Sequence, residues 1–109
     1  KAFQETLKHL SHEEQQKLWG MTAHIVYSDI DSTNCATQSP DIIHNIIKKY
    51  IGFHGALISD CITMKALSGT TFEKAKKCLM AGCDVALHCS GDFDEMSDLL
   101  TGLSHISLK

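Results

Sequence analysis

The sequence predicts an α/β protein with a parallel sheet, and three observations carry that prediction. Short apolar, β-prone runs alternate regularly with helical patterns: Gly20–Tyr27, Gly55–Asp60 and Cys83–Cys89 are each followed by an amphipathic stretch. Regular strand-helix alternation implies parallel strands joined by right-handed crossovers. Helix start and stop signals sit between the runs. Each expected strand end also carries a polar residue (His24, Asp60 and Ser90), and in a parallel sheet such ends share one rim.

A helical lead-in is expected over residues 1–20. Phe3, Leu7 and Leu10 recur at helical intervals, and Ser11-His12-Glu13-Glu14 reads as a capping box opening a second short helix. Leu18 and Trp19 are then either its apolar end or the start of a strand. Residues 21–109 divide into three βα units. Gly20–Tyr27 is the first strand with the start of its loop. Ser28–Gln38 is polar and without periodicity, a long loop in which turn-forming is the ordinary role of Asp29 and Asp31.

Ser39-Pro40-Asp41 starts a helix: serine caps, proline fits the first turn, and aspartate complements the dipole. Ile43, Ile46, Ile47, Tyr50 and Ile51 form its apolar stripe, and Gly52 ends it as a left-handed cap. Gly55–Asp60 is the second strand, followed by a brief helical turn at Met64–Leu67. Thr70-Thr71-Phe72-Glu73 is another capping box, and Phe72, Ala75 and Leu79 share one face of the helix that Gly82 stops. The third strand, Cys83–Cys89, leads through Ser90-Gly91-Asp92 into a last helix with Phe93, Met96, Leu99, Leu100 and Leu103 inward.

Composition narrows the function classes. With 43% hydrophobic and 21% charged residues the chain is expected to be globular, not disordered. A formal net charge of -3 gives no electrostatic case for nucleic acid or an anionic membrane. No apolar run approaches a membrane span and no signal-peptide pattern opens the chain, which starts at Lys1. Five irregularly spaced cysteines suit reduced thiols in a cytosol better than a disulfide framework. Cys83, His88 and Cys89 match no zinc spacing, and buried cysteine is the simpler reading.

Asp60 is the candidate of chemical interest, a carboxylate delivered by a buried strand to its own C-terminal end. Four motifs resemble one family: Met21-Thr22-Ala23-His24, Gly52-Phe53-His54-Gly55 leading to Ile58-Ser59-Asp60, Met64-Lys65-Ala66, and Ala81-Gly82-Cys83-Asp84. In this order, from about Met21 to Leu100, they resemble the bacterial β-N-acetylhexosaminidases of glycoside hydrolase family 3.

The resemblance implies a partial TIM (β/α)8 barrel, made of its last three strand-helix units and a preceding helix. It implies that Asp60 is the nucleophile of a retaining mechanism, and it sets His24 and Met64 beside the sugar. For His24, ordering the rim is an equal alternative, and packing is the ordinary role of a methionine. Asp84, early in its strand, is expected to fix the turn. The implied substrate is a terminal β-linked N-acetylglucosamine of a muropeptide or chitobiose-like amino sugar, in cytoplasmic peptidoglycan recycling by Gram-negative bacteria, with no metal or organic cofactor.

The sequence departs from the family in two ways. Cys61 stands where a second aspartate usually follows the nucleophile, which alters local hydrogen bonding. The Lys-His-Phe-Pro-Gly-His-Gly-like loop that carries the family's acid/base histidine is absent. The chain alone is therefore expected to be inactive, and to self-associate or pair with the missing barrel half because its sheet edges and one apolar face have no cover. The alternative is a small α/β binding or phosphoacceptor module using Asp60.

Overall fold

A computed structural model describes residues 2–65 and 67–104. Two short helices, α1 (Ala2–Lys8) and α2 (His12–Gln16), lead into strand β1 (Trp19–Met21). The α2 capping box forms as expected: the Glu14 amide donates to Ser11 Oγ at 3.1 Å and the Ser11 amide to Glu14 Oε1 at 2.9 Å. Strand β2 (Ala56–Ile58) runs parallel to β1, with Trp19 opposite Ala56, Gly20 opposite Leu57 and Met21 opposite Ile58.

The first strand is shorter than its β-prone sequence. The Thr22 amide still donates to Ile58 O at 2.9 Å, but beyond it the backbone turns to its own loop. The Ala36 amide donates to Ile25 O at 2.8 Å and the Thr37 amide to Ala23 O at 3.2 Å. A 3-10 turn, Ala36–Gln38, thus takes the partners a sheet would have supplied. The third strand is likewise reduced to one parallel bridge, Val85 against Ile58. Here the Leu87 amide donates at 2.9 Å to Ser59 Oγ, a side chain filling a position that a backbone carbonyl would hold in a longer ladder.

The long loop is organised by Asp31. Its carboxylate accepts from the Thr33 and Asn34 amides at 3.0 and 3.1 Å, and from Ser39 Oγ at 2.7 Å. Ser39 Oγ in turn accepts from the Ile42 amide at 3.2 Å, so the expected cap is in place. The helix it starts winds as a π-type helix over Ile42–Ile51. That wider winding changes which residues share a face. Ile42 and Ile43 are buried, whereas Tyr50, expected in the stripe, is 66% exposed. Gly52 closes the helix at φ +83°, left-handed as expected.

Helix α3 (Thr71–Ala81) keeps its capping box, Thr70 with Glu73, and packs on α4 (Phe93–Leu103). The α4 stripe is narrower than expected. Leu99 is buried and Leu103 packs on the core, but Phe93 and Leu100 are exposed, with no element among the described residues over that side of the helix. The Met64–Leu67 segment is a hydrogen-bonded turn, and its Ala66 lies outside the described residues. The core joins Ile43, Leu57, Ile62, Leu67, Ala75, Cys78, Ala81, Cys83 and Leu99, on the side of the sheet that faces the helices.

Candidate active site at the strand ends

Strand β2 sends Leu57 into the core, and Ser59, the first residue after it, is fully buried. Asp60 follows, half-buried, and its Oδ1 accepts from the Cys61 amide at 2.8 Å. The neighbouring segment explains this placement. The Ser59 amide donates to Val85 O and the next rung runs from the Ile62 amide to Leu87 O, three residue steps on one side against two on the other. The extra residue breaks the ladder as a β-bulge does, and such irregularity re-aims side chains at a sheet's rim. Asp60 and Cys61 are the residues it displaces.

His24 reaches the same turn from the first strand's loop. Its Nε2 lies 2.8 Å from Cys61 O, which accepts only, so Nε2 carries the proton. The Met64 amide donates to the same carbonyl at 3.2 Å. On the ring's other side Nδ1 is 2.9 Å from Thr37 Oγ1. Thr37 Oγ1 also accepts from Thr22 Oγ1 at 2.9 Å and lies 2.8 Å from Ala23 O. The Thr37 hydroxyl has one proton to give. With His24 neutral it goes to Nδ1; with the ring protonated Nδ1 donates and the hydroxyl turns to Ala23 O.

The structure therefore brings His24 to the residue after Asp60, where it holds the turn through a carbonyl and not through a carboxylate. Both ring nitrogens are engaged by protein atoms. Met64 sits in that turn and is 44% exposed. Ser90 is turned elsewhere: its hydroxyl donates to Glu95 Oε2 at 3.0 Å, and the Asp92 amide donates to it at 3.2 Å. Asp84 acts at the opposite end of the strands, where its Oδ2 accepts from the Leu57 amide at 2.8 Å, the turn-fixing role expected of it.

Two participants are not legible in the sequence. Thr37, a threonine in a polar loop, is fully buried at the centre of the network. Cys89 is exposed at the third segment's end, close enough to Asp60 for that carboxylate to help raise its thiol. Cys35, Cys78 and Cys83 are the buried thiols expected of cysteine. Among the described residues no three His, Cys, Asp or Glu side chains gather as a metal-binding group, including Cys83, His88 and Cys89.

Residues 12–108 match the profile of the glycosyl hydrolase family 3 N terminal domain. The chain belongs to glycoside hydrolase family 3. The family match contains the whole stretch that the four motifs span and reaches back into α2. A β-hexosaminidase of Shewanella frigidimarina is 42% identical over 78 residues, covering 69% of this chain and 23% of that protein. One from Nitrosomonas eutropha is 36% identical over 85 residues, covering 76% of this chain and 24% of that protein.

In three dimensions the chain resembles the β-N-acetylglucosaminidase of Thermotoga maritima with a TM-score of 0.76 and 33% identity, over 94% of this chain and 22% of that one. The chain spans about a fifth to a quarter of the length of the curated relatives it matches. The family is one of hydrolases that cleave glycosidic bonds, so the α/β architecture and the glycosidase ancestry read from the motifs both stand.

Proposed function

We propose that the chain is the last three strand-helix units of a family 3 (β/α)8 barrel, in which Asp60 is the nucleophile of a retaining β-N-acetylglucosaminidase. One observation carries the reading. Trp19 and Met21 of β1 and Val85 of the third segment are exposed, although they sit in the sheet beside Ala56 and Ile58. Leu57, one residue out of phase, is buried beneath the helices. That is the pattern of a barrel wall, with one set of side chains toward the helices and the alternate set toward an interior that other strands complete. Asp60 stands at the C-terminal end of this wall, where barrel enzymes place their chemistry.

An ionised aspartate attacks the anomeric carbon, giving a covalent glycosyl-enzyme that water then hydrolyses. Departure of a poor leaving group needs a proton donor, and the acid/base loop of the family is absent from this sequence. The chain alone is thus inactive on ordinary glycosides. The substrate class is a terminal β-linked N-acetylglucosamine, and the setting is cytoplasmic recycling of bacterial peptidoglycan.

An activated N-acetylglucosaminyl fluoride, whose leaving group needs no protonation, tests the nucleophile directly. Incubation followed by peptide mapping is expected to find one glycosyl unit esterified to Asp60, and none in Asp60→Ala. A label on another residue, or equal labelling of the variant, would remove Asp60 from this role. Hydrolysis of an ordinary aryl N-acetylglucosaminide by the chain at rates typical of whole enzymes would overturn the assignment of inactivity.

A further inference from the structure

Two of the five cysteines are exceptions to the buried pattern, and they stand together. Cys61 is half-buried in the turn after Asp60, and Cys89 is exposed at the end of the adjacent segment. Parallel rungs from Ser59 to Val85 and from Ile62 to Leu87 flank Cys61 and hold the two segments side by side to within two residues of Cys89. Past the last rung the two segments stay together, and the Cys61 thiol meets both the thiol and the backbone of Cys89. The thiols are near enough for each to shift the other.

Chemistry separates the pair into attacker and resolver. The Thr63 hydroxyl, 2.8 Å from Cys61 Sγ, holds the Cys61 thiol below the ordinary thiol range. Cys89 is pushed up by its contact with the Cys61 thiol, with partial burial and the charges of Cys61 and Asp60 adding to it. The other thiols are poor competitors: burial raises Cys78 to about 12 and Cys83 to about 11, and Cys35 is also buried. Reactivity follows thiolate character and access.

We propose that Cys61 and Cys89 form a reversible intramolecular disulfide when a peroxide is present, tying the Asp60 turn to the end of the neighbouring strand segment. The Cys61 thiolate attacks one peroxide oxygen. The O–O bond breaks, the leaving hydroxide takes up a proton as water, and Cys61 becomes a sulfenic acid. Cys89 then gives up its proton and attacks that sulfur; the S–O bond breaks, a second water leaves, and the S–S bond forms. Two thiols and one hydrogen peroxide give one disulfide and two waters, and a dithiol reverses the step by exchange. The assignment stands independently of whether Asp60 attacks a sugar.

The test is hydrogen peroxide in small excess over the 109-residue chain at neutral pH, then denaturation, blocking with N-ethylmaleimide and peptide mapping. The expected result is loss of blocking at Cys61 and Cys89 alone, a peptide pair joined through them, a mass lower by two hydrogens, and recovery with dithiothreitol. In Cys89→Ser, Cys61 is expected to stop at the sulfenic acid and be trapped by dimedone. A covalent dimer on a non-reducing gel, a bridge to Cys35, Cys78 or Cys83, or oxidised Cys61 beside fully blockable Cys89 in the unmutated chain would each overturn the proposal.

Discussion

Thr37 holds the candidate site together by a single oxygen. Its hydroxyl meets Thr22, His24 and Ala23 O within 2.9 Å, and it is fully buried. Replacing it by valine keeps the volume and removes every one of these bonds. The partners are then left buried without compensation, at a cost of about 2 kcal/mol. Urea unfolding of Thr37→Val should show a lower midpoint at unchanged slope; a midpoint equal to the parent's would mean that the network adds nothing.

Asp31 gives the second prediction at this scale. Its hydrogen bonds from Ser39, Asn34 and Thr33 lower its pKa from 3.8 to about 2. The folded state therefore binds this proton more weakly than the unfolded chain does. The stabilisation is complete above the unfolded value and is lost as pH falls through the folded one. Thermal unfolding measured between pH 4 and pH 2 should show a steeper fall for the parent than for Asp31→Asn. Parallel curves would exclude Asp31 as the acid-sensitive group.

Elements in this chain were legible wherever one residue type closes one local geometry. The two capping boxes, the Ser39 cap and the Gly52 stop depend on neighbours within a few positions, and all appear in the structure. Strand lengths were not legible, because Ile25, Val26 and Tyr27 have the composition of a strand, but Ile25 O accepts from the distant Ala36 amide and Tyr27 O from the Ile30 and Asp31 amides of the next turn. The facing of Tyr50 was missed for a related reason: periodicity assumes α winding, and nothing local announces π winding. The position of Asp60 at the strand end was legible from the apolar run before it. Thr37 was not, since a polar loop residue gives no sign of burial.

Two glycines separate local from long-range constraint. At Gly52 a Cβ would meet nothing within 4 Å, so Gly52→Ala carries only the strain of φ +83°, about 1 kcal/mol. At Gly55 a Cβ would lie 2.0 Å from Leu18 O, a backbone atom that also accepts from the Ala56 amide at 2.9 Å. Gly55→Ala must push β1 and β2 apart and should cost on the order of 3 kcal/mol. Equilibrium unfolding of the two variants side by side checks the ranking, and equal losses would mean that the strand approach at Leu18 is not needed.

At the scale of the whole molecule, Trp19, Met21 and Val85 form an exposed apolar row on one face of the sheet, and Ile25, Val26 and Tyr27 after the first strand are exposed as well. Exposed apolar surface of this kind marks a place where other protein belongs, and the edge of a parallel sheet adds unpaired backbone groups. Through this face we expect the chain to pair with a second copy, or with the other strands of the proposed barrel when these are supplied. The chain's single tryptophan, Trp19, lies on that face at 77% exposure and reports on its cover. Raising the concentration should shift Trp19 emission to shorter wavelength while sedimentation gives a mass above 12.0 kDa. Met21→Lys puts a charge in the middle of the row and should suppress both changes. A 12.0 kDa species with solvent-exposed emission at every concentration would show that this face needs no partner.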